Sequence, residues 1–182
     1  MDYVVALLGL AVVHLLAVAS PGPSTVLVIQ TAAVAGRRGG LLAALAMMAG
    51  ALLWATAALF GLQALFARFE WLYLAFRIGG AIRPTGWQGF LRALLLQLSN
   101  PKIMVFFGSI FLSLLPADLP VWMDATVLAV VAFNEFAWFA LLALLFSGGP
   151  ARAFYRRAKV WLDRFMGGAL ALLGLRLALA SR

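Results

Sequence analysis

Glu135 is the one acid at the middle of a long apolar run, residues 121–146, whose other acid, Asp124, lies near its start, and that placement is the first chemical signal in the chain. A carboxylate at the centre of an apolar helix costs roughly 2.5–3.5 kcal/mol on insertion scales, so it usually faces a protein interior or a wet cavity and has a task there. Two tasks fit. A carboxyl can take up and release a proton, or it can form a structural ion pair, here with Lys102 or Arg77. Its neighbour Asn134 can hydrogen-bond, and Trp138 lies one helical turn further on.

The second signal is a pair of helix breaks. Ser20-Pro21-Gly22-Pro23 is followed by Ser24 and Thr25, and Ser99-Asn100-Pro101-Lys102 by Ile103. In lipid every backbone N–H and C=O needs a partner, so a broken helix survives only where protein or a wet cavity supplies one. Two breaks in corresponding places point to a binding site, with helix N-termini directed at an anionic group. The plainer alternative is a packed kink that shapes the bundle. Both breaks carry polar groups as well as proline, which favours the site. Gln30 and Gln97 sit among apolar neighbours and are candidate pocket liners, as is Trp54. The single histidine, His14, fits a hydrogen bond across a helix interface better than a metal site, because no second ligand accompanies it. With no cysteine there is no disulfide framework or thiolate metal site. Neither a metal nor a cofactor is expected.

The elements that must hold these groups follow from composition. Of 182 residues, 65% are hydrophobic and 11% charged, with mean hydropathy +1.05. A soluble domain carries about 25% charged residues, and a chain this short cannot hide so much apolar surface from water. Lipid is the solvent that resolves the conflict. Apolar runs occupy residues 3–19, 24–35, 41–67, 69–81, 87–98, 103–115, 121–146 and 165–180, separated by Pro/Gly and basic segments. The chain reads as an all-α membrane protein, a single transmembrane domain over residues 1–182. The first run follows Asp2 without a basic leader and continues into the first break, so it reads as a retained helix rather than a cleaved signal. Glycines such as Gly50, Gly61, Gly79, Gly80, Gly167, Gly168 and Gly174 suit close helix packing.

Charge sets the orientation. Arg37, Arg38, Arg83, Arg92, Arg152, Arg156, Arg157, Lys159 and Arg164 fall in alternate loops, while Asp2, Glu70, Asp118 and Asp124 fall on the opposite side. By the positive-inside rule the basic loops are cytoplasmic, which puts both termini outside. There is also an internal echo. Each break is followed by a short apolar run, a loop and a long helix carrying a tryptophan, Trp54 in one half and Trp138 in the other. The loop after the first break holds Arg37 and Arg38, and the loop after the second holds Asp118. Similar sequence with opposite loop charge is what an inverted repeat produces, with halves of about 1–81 and 86–182.

Other classes fit poorly. The net charge of +8 lies between apolar runs, not in a basic stripe with interleaved aromatics, so nucleic acid is not a partner. No His-Glu-x-x-His, Gly-x-Ser-x-Gly or paired membrane aspartates suggest an enzyme. A carrier of metal or other small ions would need oxygen-rich clusters. A non-transporting interaction protein is the remaining class.

Taken together, the motifs resemble those of the LysE/RhtB amino-acid exporters. Pro21-Gly22-Pro23 matches that family's PGP motif, and Gly36-Arg37-Arg38-Gly39-Gly40 its glycine-rich basic turn. Gly89-Phe90-Leu91, Asn100-Pro101-Lys102 and Phe106-Phe107 are similar to its GF(L)…NPK…FF signature, Glu135-Phe136-Ala137-Trp138 to its acidic-x-x-Trp pattern, and residues 168–177 to its closing glycine-leucine helix. The resemblance covers nearly the whole chain. It implies about six transmembrane helices in a bacterial inner membrane, exporting an amino acid or similar zwitterion by proton antiport, with self-association into a homo-oligomer compatible with it. The same fold carrying another small solute or ion is the alternative.

Two features depart from the family pattern. Ala51 stands where many members carry an acid, leaving Glu135 as the embedded carboxylate and making a basic substrate less expected. After Gly79-Gly80-Ala81 the chain passes directly to Ile82-Arg83-Pro84. Residues 69–81 give about 20 Å of helix against a hydrocarbon core of about 30 Å. A segment of about 20 residues, one span's worth, is therefore missing after Ala81 relative to the family.

The charge pattern makes a direct prediction. Reporter domains fused after Arg38 and after Arg157 should read cytoplasmic, and one after Asp118 external. A cytoplasmic reading after Asp118 would overturn the inverted repeat as well as the orientation.

Overall fold

The computed structural model describes residues 3–60, 86–115 and 120–148. Among these the chain is helical, without strands: α1 Tyr3–Ala19, α2 Pro23–Leu59, α3 Gly86–Leu98, α4 Pro101–Val105, a π-helical turn Phe106–Ile110, α5 Phe111–Ser113 and α6 Val121–Phe146. Two helices are long and apolar enough to cross a membrane, and a third span results if α3 and the segment Pro101–Ser109, bent by 48°, are counted as one. The expected span 69–81, the junction at Ala81–Ile82, the loop around Asp118, the basic stretch 152–164 and the last span 165–180 lie outside the described residues.

Both breaks fall where proline and glycine put them. α1 ends at Ala19 and α2 begins at Pro23, while α3 ends at Leu98 and α4 begins at Pro101. Proline suits a first helical position because its missing N–H would have no intrahelical partner there. α1 packs on α6 and scarcely touches α2. The first break is therefore a step along one path and not a turn back.

The reversal comes at Gly36, whose φ of 72° and ψ of −167° interrupt α2. A Cβ placed on Gly40 would lie 2.8 Å from the Cβ of Ala32, eight residues earlier. Along a straight helix eight residues rise about 12 Å, so the chain folds back at Gly36 and α2 is a helical hairpin with arms 23–35 and 37–59. The sequence suggests a loop across Gly36 to Gly40. The turn is confined to Gly36, because that backbone region is open essentially to glycine alone, and Arg37 and Arg38 remain helical and exposed.

Packing follows from the solvent. Lipid gives apolar helices no hydrophobic reason to associate, so close approach of small residues has to do it. The buried side of the second α2 arm accordingly includes Gly40, Ala43, Ala44, Ala46, Gly50, Ala51, Ala55, Ala57 and Ala58, packed mainly against α6 and α3. The outward faces are apolar too: Val4, Val5, Leu8, Val12 and Leu16 on α1, and Phe133, Leu141 and Leu145 on α6, are exposed.

The interior is divided into two apolar clusters. Leu10, Trp54, Ile103, Phe107, Phe111, Met123 and Val131 belong to one, and Val18, Val28, Met47, Ala93, Phe139 and Ala143 to the other. Along α1, His14 lies one turn from Leu10 and one turn from Val18; along α6, Asn134 and Glu135 lie between Val131 and Phe139. Gln97 sits between Ala93 and Ile103. His14, Gln97, Asn134 and Glu135 thus form a polar layer partway along the helices, with apolar packing on both sides.

Glycine geometry makes the hairpin testable. A Cβ on Gly40 would also lie 2.8 Å from that of Ala143. Gly40→Val should cost about 1–3 kcal/mol by overpacking, and Gly36→Ala a similar amount, about 1–3 kcal/mol, by backbone strain. Gly9→Ala, which meets nothing within 4 Å, should leave stability unchanged or raised. Loss of the monodisperse gel-filtration peak on heating in detergent measures all three.

Candidate functional site

Side chains of the second break reach the first. The Nζ of Lys102 donates to the carbonyl of Ser20 at 2.7 Å, so a cation sits on the freed C-terminal end of α1, where the helix dipole favours it. Asn100 caps α4: its Oδ1 accepts from the backbone N–H of Lys102 at 3.1 Å, with Pro101 next in line. The other end of the same amide, Nδ2, donates to Ser24 Oγ at 2.8 Å in the first turn of α2. Pro21, Gly22 and Pro23 hold that turn in place, with Gly22 in extended backbone and the Lys102 side chain alongside it.

From there a polar path runs inward. Ser24 Oγ donates to Gln97 Oε1 at 2.6 Å, and Gln97 Nε2 donates to Glu135 Oε2 at 3.4 Å. Gln97 and Glu135 are both fully buried. Gln97 reaches across only because α2 has no side chain at Gly50, where a Cβ would lie 2.7 Å from Gln97 Cγ. The other carboxylate oxygen, Glu135 Oε1, faces His14 Nε2 at 3.8 Å, and neither atom has a hydrogen-bond partner among the described residues. Asn134 Nδ2 donates to the Ala11 carbonyl at 2.9 Å and lies 3.4 Å from His14 Nδ1. That contact gives Nδ1 the acceptor role and leaves the ring proton on Nε2, towards Glu135. Phe106 and Phe107 of the π-helical turn pack at a tilt beside His14, at 5.2 and 5.8 Å between ring centroids.

The structure therefore brings Ser24, Asn100, Lys102, Asn134 and Glu135 into one connected region with the two breaks. Trp54 closes it from α2 by donating its indole N–H to the Leu98 carbonyl at 3.3 Å. Trp138 Nε1 is buried without a partner among the described residues. Gln30 is half-buried on the first arm of α2 and takes no part in the path. Lys102 lies within electrostatic reach of Glu135 but spends its hydrogen bond on Ser20, and Arg77 lies outside the described residues. Sequence reasoning weighed His14 as a simple interface histidine and Gln97 as one liner among others. Their burial at the crossing of α1, α3 and α6 gives them their importance. A groove of about 470 Å³ opens beside the breaks, lined by Ala17, Ser20, Pro101, Lys102, Val105 and Phe106. The arrangement can receive a small polar solute at the breaks and hold one proton at an enclosed carboxylate.

The sequence profile of the LysE type translocators matches residues 15–83 and, separately, 82–181. The chain is 29% identical to the threonine efflux protein of Salmonella typhi over 198 aligned positions, covering 93% of this chain and 96% of the relative. It is 28% identical to the threonine efflux protein of Escherichia coli K12 over 201 positions, covering 95% and 97%. An uncharacterized membrane protein of Haemophilus influenzae is 25% identical over 189 positions, covering 88% and 90%. No solved structure matches. The two profile matches meet at residues 82–83. The first alignment spans 198 positions, whereas 93% of this 182-residue chain is about 169 residues, so about 29 positions of the alignment have no counterpart here.

If the breaks hold each other, their side chains are energetically coupled. Ser24→Ala and Asn100→Ala should each destabilise, and the double variant should lose less than the sum. A coupling of about 0.5–3 kcal/mol is expected for groups in direct contact. A thermal double-mutant cycle in detergent measures it, and strict additivity would show the two breaks to be independent.

Proposed function

Because the chain belongs to the LysE type translocator family, a bacterial membrane transporter family and not an enzyme family, we propose that it is a secondary active exporter of amino acids working by proton antiport. Threonine is the first substrate to test, since the relatives of nearly equal length are threonine efflux proteins. The observation that carries the reading is the buried path Asn100–Ser24–Gln97–Glu135, which joins the place where a solute can bind to the group that can hold a proton. The solute's carboxylate sits at the broken helices, at the positive N-terminal end of α2 and beside Lys102, with Pro21, Gly22, Pro23, Ser24, Asn100 and Pro101 forming the cradle. Trp54, Asn134 and Trp138 line the passage, and Gln30 stays outside it on the first arm of α2.

Glu135 carries the proton. Arginine stays protonated and cannot exchange one. His14 contributes its N–H as a donor facing Glu135, and the free Glu135 oxygen is the acceptor that answers it. About six spans in two inverted halves, with both termini external, complete the architecture, and alternating access exposes the polar layer first to one side and then to the other.

Cells loaded with threonine-containing dipeptides provide the test. Wild-type protein should export threonine uphill, and a protonophore should stop it. Glu135→Gln keeps shape and hydrogen bonding but removes the titratable proton. It should insert and fold, lose uphill export to the level of cells lacking the protein, and retain downhill exchange. Wild-type, protonophore-sensitive export by Glu135→Gln would move the proton elsewhere, with His14 the next residue to change.

A further inference from the structure

We propose that Gln97 makes the proton and the substrate's ammonium group mutually exclusive, by turning its amide according to whether Glu135 is ionised. This rests on the reading above, in which the solute sits at the breaks and Glu135 holds the proton. It adds the residue that links the two.

An amide has two unlike ends, a carbonyl that only accepts and an NH2 that only donates. Those of Gln97 face different partners: Oε1 faces Ser24 at 2.6 Å and Nε2 faces Glu135 Oε2 at 3.4 Å. From Asn100 Nδ2 to Ser24 Oγ to Gln97 and on to Glu135, every donor points towards the carboxylate. Such a run matches an ionised Glu135, which can only accept. In this state the carbonyl of Gln97 is turned to the breaks, and a carbonyl oxygen has a second lone pair. A zwitterion held there by its carboxylate presents an ammonium with three donors and no acceptor. Gln97 Oε1, fully buried behind Ser24 in this state and outside the groove at the breaks, is the acceptor it meets once alternating access opens the layer.

A proton on Glu135 reverses the requirement. Both carboxylate oxygens face donors, Oε2 the amide of Gln97 and Oε1 the ring N–H of His14. His14 cannot change roles, because its Nδ1 is engaged by Asn134, which is itself tied to the Ala11 carbonyl. Gln97 can, because its acceptor lies on the same carbon as its donor. Turning the amide gives the carboxylic O–H an acceptor and swings the NH2 towards the breaks, where it confronts an ammonium donor to donor. The seat at Gly50 keeps the side chain in place, so rotation of the amide is the remaining freedom. The charged or titratable groups facing Glu135 are His14 from α1 and Lys102 from α4, while α2 and α3 face this path with the neutral Ser24 and Gln97. No covalent bond between heavy atoms forms or breaks; one proton arrives as one ammonium leaves.

Equilibrium binding of radiolabelled threonine to the purified full chain, measured across pH, tests the proposal. Competition with one proton should weaken wild-type binding by up to about tenfold per pH unit towards acid, and by reciprocity threonine should release a proton into a weakly buffered solution. Gln97→Met, similar in volume and apolar, should bind more weakly with a flat pH profile. Gly50→Ser leaves Gln97 in the chain but displaces it from its seat, and should bind threonine with reduced proton release. The analogue with hydroxyl in place of ammonium should bind wild-type protein without the acid-side loss. A wild-type slope in Gln97→Met, wild-type proton release in Gly50→Ser, or an unchanged slope for the analogue would each overturn the role of Gln97. A wild-type slope in Glu135→Gln would overturn instead the proton site on which it rests.

Discussion

A helix that stops inside lipid must pass its unpaired backbone groups to another part of the same protein, and here the second break serves the first. The freed carbonyl of Ser20 takes the Lys102 ammonium, and the cap of α4, Asn100, reaches Ser24 in the opposite half. Water cannot substitute for these contacts within hydrocarbon without a cavity to hold it. The remaining architecture follows from that exchange. It requires α1 and α2 to meet α3 and α4 at their ends, which fixes where the α2 hairpin can lie and which face of α6 it covers.

The polar layer follows from the same arrangement. A carboxylate as enclosed as Glu135 is tolerated when its surroundings are organised to meet it, and each helix that reaches this depth contributes at least one neutral or ionisable group. α1 supplies His14, α2 Ser24, α3 Gln97, and α6 Asn134 with Glu135. Above and below, aromatic and aliphatic side chains exclude solvent. Enclosure strengthens each dipole in the layer, because the local dielectric is low, and makes any unsatisfied one costly. The unpaired contact between His14 and Glu135 and the unpartnered indole N–H of Trp138 are therefore the least settled points among the described residues.

Much of this was legible in the residues. Proline, glycine and asparagine marked both breaks to within a residue or two, since each acts through its own backbone chemistry. Glu135 was conspicuous because an acid in an apolar run has few structural excuses. The membership of Gln97 and His14 was not legible, because a polar side chain among apolar neighbours reads alike whether it faces a pocket, a partner helix or a snorkelling path. Only the crossing of three helices distinguishes these. The reversal at Gly36 looked like a five-residue loop, since Arg37, Arg38, Gly39 and Gly40 all suggest exposure. A single backbone conformation accomplished it, and nothing in the letters separates the glycine that turns from the glycine at 40 that packs.

The π-helical turn at Phe106–Ile110 has a consequence for angular phase. A wider turn holds one residue more than the α-helical path needs, and such turns recur at functional sites. Removing a single residue there would restore ordinary winding and leave everything beyond it at nearly the same angular phase relative to α4. Phe111, fully buried, would stay on the inner face, whereas the same deletion in a regular α-helical arm would rotate all that follows by about 100°. The chain can therefore absorb a change of count at this turn that it could not absorb elsewhere along its helices.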